Sequence, residues 1–212
     1  MPLFYQHNIN ESTKLAIWHI TEGEDFFLYR VPMKRDVSHA LKRLQHLAGR
    51  FLLTELFSDF PLEEILIADT RKPYLVDEKY HFSISHFGHF AAAIVSRSNR
   101  VGVDIEKAGP VIEKISNKFL SLHESAIALE NIEKSGHRLQ QLTLLWSAKE
   151  SIFKWYSLGN VNFKEHIRWK EPYFIHSGTM GEMCFEFRKD GSIPLSVYFK
   201  IFDDLVLTFV YT

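Results

Sequence analysis

The stretch HFSISHFGHFAAAIVSRSNRVGVDIEK, running from His81 to Lys107, decides the fold. Residues 81–96 read as two strands joined through Phe87-Gly88-His89, where Gly88 can supply the positive φ of a turn. After the polar Arg97 to Arg100, a further strand spans Val101 to Ile105. Upstream, Ala40, Leu41, Leu44, Leu47, Ala48, Phe51, Leu52 and Leu56 recur at helical spacing. They predict an amphipathic helix from Asp36, with Asp36 or Ser38 capping its first turn. The polar side of that helix carries Lys42, Arg43, Gln45, His46 and Arg50, which on their own describe a solvated face as well as a binding one.

Further out, Lys14 to Ile20 and Phe26 to Val31 read as two strands. A turn at Ser58 to Pro61, a short apolar run at Ile65 to Ala68 and the polar loop Arg71-Lys72-Pro73-Tyr74 fill the space before His81. Downstream, Pro110 starts a helical stretch through Ile112, Ile115 and Phe119 towards His123 and Leu129. A second long helix covers Leu139 to Tyr156, with Leu142, Leu145, Trp146, Ile152, Phe153 and Tyr156 as core positions. Strands are expected at Ile167 to Trp169, Glu182 to Arg188, Leu195 to Phe202 and Leu205 to Tyr211. Strands and a long helix thus occur in each half, and the order predicts an α+β fold of two similar lobes related by a pseudo-twofold. Each lobe would be a small, mostly antiparallel sheet packed on a long helix. The expected division is 1–103 and 104–212, although no residue-level repeat links the halves.

The 212 residues are 46% hydrophobic and 24% charged, which supplies a core and excludes a disordered or collagen-like chain. Length alone leaves one or two domains open. Lys and Arg number 25 against 26 Asp and Glu, so no global field draws nucleic acid or an anionic membrane. Any anion site must be local. The single cysteine, Cys184, can form neither an internal disulfide nor a Cys-rich metal site, and it fits a reducing compartment. The start, MPLFYQHNINESTKLAIWHI, has no basic flank before an apolar core, and no apolar run approaches the roughly 18 residues of a span. A soluble cytoplasmic protein is expected.

Strand alternation puts Asp104 and Glu106 on one face, with Val103 and Ile105 on the other. Two like charges that close are commonly compensated by a divalent cation, for which hard oxygens suit Mg²⁺; an exposed polar strand face is the competing reading. In WSAKESIFK, Glu150 and Lys154 share a helix face beside Lys149. That carboxylate could complete a metal site and the lysines could neutralise phosphate, or the pair is an ordinary surface ion pair. His86 ends a strand next to a turn and can hydrogen-bond a phosphate, whereas the adjacent Ser85 does not make a hydrolase dyad. No G-x-S-x-G elbow and no glycine-rich phosphate loop is present.

Together, Lys72-Pro73-Tyr74, HFSISH at 81–86, GVDIEK at 102–107 and LWSAKESIFK at 145–154 resemble, in order and separation, the 4'-phosphopantetheinyl transferases. Chain length favours their larger, surfactin-synthetase-activating type with two lobes, acting as a monomer, over the short trimeric synthases. The resemblance implies transfer of the phosphopantetheine arm of coenzyme A to a serine of an apo acyl or peptidyl carrier protein, with release of 3',5'-adenosine bisphosphate. The site would lie in the cleft between the lobes. By the same resemblance Asp104, Glu106 and Glu150 match the Mg²⁺ carboxylates, with Mn²⁺ as an alternative ion. The resemblance likewise matches Lys154 to a residue that reaches the pyrophosphate, assigns Lys149 to phosphate binding, and matches Lys72 and His86 to coenzyme A contacts. Arg43 and Arg50, seven positions apart on one helix face, extend that basic patch, and Glu124 falls at the general base. The family's Gly-Lys-Gly loop is replaced here by Tyr156-Ser157-Leu158-Gly159-Asn160-Val161, which removes a lysine contact. Phe119 to Leu129 is the expected strip for the carrier. A metal-dependent phosphohydrolase and a non-catalytic module that binds coenzyme A or a carrier are the competing readings.

Overall fold

The structure is a computed structural model describing residues 2–32, 37–135 and 137–212, with the side chains of 130–135 and 171–177 outside the description. Two units separate along the chain, Met1–Ile105 and Glu106–Thr212. The first contains β1 (Leu3–Asn8), β2 (Thr13–His19), α1 (Glu24–Leu28), α2 (Ala40–Leu56), a 3-10 turn at Leu62–Glu64, β3 (Leu66–Ile67), β4 (Pro73–Tyr74), β5 (His81–Phe87) and β6 (Phe90–Ser96). β7 (Val101–Lys107) carries the chain through the division. The strands β1-β2-β6-β5 form one sheet in that order, every neighbour antiparallel. The β5–β6 hairpin closes with Phe87 opposite Phe90, and Gly88 takes the left-handed φ of 52° that the turn requires.

The periodic apolar face of α2 packs on this sheet, burying Leu47, Ala48, Phe51, Leu52 and Leu56 against Ala16 and Trp18 of β2, Phe82 of β5, and Ala91, Ala93 and Val95 of β6. All of β6 from Ala91 to Ser96 is buried, which is why it reads as a continuous apolar run rather than an alternating one. Small side chains let the helix come close. A Cβ on Gly49 would stand 2.6 Å from Ile84 Cγ2, a short branch with little room to yield. Gly49→Ala is therefore expected to lower stability by about 1 kcal/mol, overpacking outweighing the gain in helix propensity. A rise in the urea midpoint of this variant would refute the close approach.

Four expectations for this unit change. Phe26 to Val31 is not a strand, since Glu24–Leu28 is helical and Phe27 and Val31 fall four apart, with Val31 N donating to Phe27 O at 2.8 Å. The acidic pair Glu24 and Asp25 sits in the first turn of that helix, where the macrodipole favours it. β1 was not expected; it is an edge strand whose largely exposed side chains leave little hydrophobic pattern. α2 begins at Ala40 with His39 at its N-cap, not with Ser38, and Asp36 lies outside the described residues. Gln45 is buried rather than on the polar side, its Nε2 donating to Gly88 O at 2.8 Å and tying the helix to the hairpin turn.

The second unit comprises α3 (Pro110–Phe119), α4 (Leu122–Ser135), α5 (Arg138–Tyr156) and the strands β8 (Ile167–Ser177), β9 (Met180–Phe187), β10 (Ile193–Phe202) and β11 (Leu205–Tyr211). These four strands follow one another as an antiparallel meander. α5 packs on the sheet through Leu145, Ala148 and Ile152, among Val197, Phe199, Val206 and Val210. Ser147 and Ser151 of α5 meet Thr208 of β11 in a buried hydroxyl chain at 2.9 and 3.3 Å, so the small residues of WSAKES serve close helix–sheet contact. The single helical stretch expected from Pro110 to Leu129 is two helices, broken at the extended Leu120. No described helix is long and apolar enough to cross a membrane.

Candidate functional site

In the first unit, a cavity of about 510 Å³ opens between α2 and the β3–β4 and β5 segments. Its polar lining is cationic or imidazole: Arg50 and His46 from α2, Arg71 from the loop before β4, and His86 from the end of β5. No Asp or Glu is among the lining residues. Leu47, Ile65, Ile67 and Ile84 form apolar walls. Arg50 Nη1 lies 3.2 Å from His46 Nδ1, and the His46 and His86 rings are 6.0 Å apart. Burial pulls the Arg50 guanidinium below its ordinary pKa, yet an arginine retains its charge at neutral pH. An apolar cavity with one cationic side suits a flat ring system that carries phosphate.

Of the residues singled out in sequence, Arg50 and His86 come together here, and Lys72 is half-buried beside the lining residues Arg71 and Pro73. Arg43 does not line the cavity. Its Nε and Nη2 clasp Glu24, the closest contact at 2.7 Å, and its Nη1 donates to Val37 O and Ser38 O, so it ties α1 and the preceding loop to α2. His46 and Arg71 were missed. The signal for His46 was its i, i+4 spacing from Arg50 on a face already known to be polar.

The serines of β5 hold β7. Ser83 Oγ accepts from Val103 N at 3.2 Å, and Ser85 Oγ donates to Asp104 Oδ1 at 2.8 Å. Asp104 is only 5% exposed, and Glu106, on the same strand face, is half-buried. A desolvated carboxylate needs compensation. The donor chemistry, hard oxygens two positions apart, fits a divalent cation that keeps waters and takes further oxygens from a substrate. Among the described residues no group of three or more His, Cys, Asp or Glu stands ready to hold a metal with protein ligands alone.

In the second unit, α5 presents Glu150 and Lys154 one turn apart, both half-buried. Lys149 is different. It is 0% exposed, and its Nζ donates to Glu124 Oε1 and Oε2 at 2.9 Å and to the carbonyls of Phe119, Phe163 and Ile167 at 2.8–3.0 Å. These five acceptors surround the ammonium on the inside of the unit. Glu124, 2% exposed, accepts in addition from Trp169 N and Ser121 N, each at 2.8 Å. Ser121 Oγ in turn accepts from Glu124 N at 3.3 Å, a reciprocal capping box that starts α4. Both Glu124 oxygens are thus held by these donors.

Burial pushes the Lys149 amine down to about 8, against the upward pull of Glu124. Its ¹³Cε resonance is therefore expected to titrate near pH 8, and a midpoint above pH 10 would contradict this. Because the folded value lies below the unfolded one, the unfolded chain binds more protons between pH 8 and about 10.4. The contribution of this group to stability therefore rises with pH across that window.

The 4'-phosphopantetheinyl transferase superfamily pattern matches residues 100–210, just over half of the sequence. A Haemophilus influenzae protein described as a candidate 4'-phosphopantetheinyl transferase is 29% identical over 161 residues, which are 69% of this chain and 64% of that protein. Enterobactin synthase component D of Salmonella typhi is 34% identical over 127 residues, 55% and 49% of the two chains. The 4'-phosphopantetheinyl transferase Ffp of Bacillus subtilis is 38% identical over 87 residues, 39% and 36%. The matched regions span about a third to just under two thirds of these relatives. With β7 and α5 both inside the matched region, the chain belongs to the 4'-phosphopantetheinyl transferase superfamily.

Proposed function

We propose that the protein transfers the 4'-phosphopantetheine arm of coenzyme A to a serine of an apo acyl or peptidyl carrier protein. The serine oxygen bonds the phosphorus that bears the arm and releases its proton to solvent, the bond from that phosphorus to the bridging oxygen breaks, and the electron pair leaves on 3',5'-adenosine bisphosphate. The observation that carries this reading is the cavity of about 510 Å³ with apolar walls and Arg50, Arg71, His46 and His86 on its polar side, in a chain of this superfamily. It suits the phosphorylated adenine end of coenzyme A, with Lys72 alongside. Asp104, Glu106 and Glu150 are the proposed Mg²⁺ carboxylates, Mn²⁺ being an alternative, and Lys154 the proposed partner of the pyrophosphate. A bound cation would neutralise charge on the leaving group. Two units, each with an antiparallel sheet and a long helix, support the larger two-lobe type and a monomer. The lone Cys184 and the use of coenzyme A support the cytoplasm.

Intact-protein mass spectrometry tests this with several apo carriers, coenzyme A and Mg²⁺. A gain of one phosphopantetheine per carrier is expected, abolished by EDTA and slowed about 100-fold or more in Asp104→Ala. Cleavage of coenzyme A without any acceptor would replace this reading by a phosphohydrolase. Binding of coenzyme A without chemistry, unaffected by Asp104→Ala, would replace it by a binding module.

A further inference from the structure

The second unit holds another cavity, of about 250 Å³, which includes none of the residues assigned above to transfer. It lies at the N-terminal half of α5, walled by Leu144, Leu145, Met183 and Phe199 and by Ala128 of α4, all buried, with the half-buried Gln140 also in its lining. No Asp, Glu, Lys or Arg is among its described lining residues. Gly178, Ile201 and Trp169 of β8 complete the wall, and His137 and Gln141 join Gln140 on its polar side. The Trp169 side chain is 5% exposed, and its buried indole Nε1–H has no hydrogen-bond partner among the described residues. Buried indole donors normally find an acceptor, and leaving one unmade costs free energy. Trp146 and Trp155 lie elsewhere on α5, and Trp155 donates to Thr212 Oγ1 at 3.0 Å. An apolar cavity of about 150 Å³ is already enough to bind benzene.

We propose that this cavity is a binding site for a small, uncharged, mostly apolar molecule carrying one carbonyl-type acceptor. The acceptor takes the Trp169 Nε1–H, and the apolar body fills the space between Leu144, Leu145, Met183 and Phe199. The absence of Asp, Glu, Lys and Arg from the described lining sets the uncharged character, and the one buried indole N–H with no partner among the described residues sets the single acceptor. The volume sets the size, somewhat above that of a benzene ring. The site stands independently of the transferase reading.

The test is a ¹H–¹⁵N titration of the full chain with acetophenone and, separately, with α-methylstyrene, in which a methylene group replaces the carbonyl oxygen. The Trp169 indole resonance, identified by its loss in Trp169→Phe, is expected to move saturably with acetophenone while those of Trp18, Trp146 and Trp155 stay. α-Methylstyrene should bind about 3- to 10-fold more weakly, the worth of one neutral hydrogen bond. In Trp169→Phe that preference should vanish. If this variant fails to fold, replacing the other three tryptophans in turn identifies the resonance by exclusion. No saturable shift up to the solubility limit of acetophenone overturns the proposal, and so does equal affinity for the two probes. A water exchange signal at the indole that persists through the titration also overturns it, by showing that the donor is held by solvent alone.

Discussion

Replacing Lys149 by methionine is expected to cost about 3–5 kcal/mol of stability, because the side chain is removed from the partner of a buried charge. The volume is nearly conserved, so packing contributes little to the loss. What is lost is the cation facing Glu124, together with the donor for the carbonyls of Phe119, Phe163 and Ile167. Those carbonyls belong to the end of α3, the connection after α5 and the start of β8. Glu124 would keep its two backbone donors, Ser121 N and Trp169 N, but its charge would be uncompensated at 2% exposure. Urea unfolding followed by circular dichroism measures the change. Adding Glu124→Leu to the methionine variant should recover part of the loss, since the stranded carboxylate goes, but not all of it, since the carbonyls remain without that donor. A single variant within about 0.5 kcal/mol of the parent, the range of ordinary surface substitutions, would remove the pair from its place in the core.

Phe51→Ala is the corresponding expectation for the first unit, at about 3–5 kcal/mol. Phe51 stands at the centre of an aromatic cluster between α1, α2 and β2. Its ring lies 5.0 Å from Trp18, 5.5 Å from Phe26 and 5.7 Å from Phe27, each in edge-on geometry. Truncation removes the area buried by the ring and three aromatic contacts at once, and the rings around it cannot all collapse into the gap. The intrinsic fluorescence of Trp18 should respond alongside the fall in urea midpoint. A loss below about 1 kcal/mol would mean that the cluster relaxes around the hole.

The sequence made some elements plain because their periodicity is set by one buried face. α2, α5 and the β5–β6 hairpin are of this kind, and each emerged within a few residues of its expected bounds. Elements governed by a local contact were harder. Phe26-Phe27-Leu28 suits a strand by composition, yet acidic residues at a helix start and the Phe27 to Val31 spacing decided for a helix. Ser121 and Glu124 spell a capping box, but the apolar pattern runs across it and disguises two helices as one. Around the cavity, Arg50 stood out on the polar side of a helix and His86 at a strand end next to a turn. The carboxylate partners of Lys149 and Arg43 were not legible, because a charged side chain on a helix carries no mark of whether it faces solvent or an internal carboxylate. Ser83 and Ser85 were passed over because their partners on β7 lie about 20 residues along the chain.

The two sheets differ in a way that bears on how the chain reaches its native state. In the second unit β8, β9, β10 and β11 pair with one another in sequence order, so each of these strands closes onto the one just before it. In the first, β2 must find β6, with Thr13 and Ser96 bonded across 83 positions of chain. Closing so long a loop loses conformational entropy before any contact compensates, and topologies dominated by such pairings fold slowly. During synthesis the amino-terminal strands therefore leave the ribosome long before their partner exists, with apolar β2 waiting through the whole of α2. The pairings within the β8 to β11 meander carry no such delay, since each strand follows its partner closely along the chain.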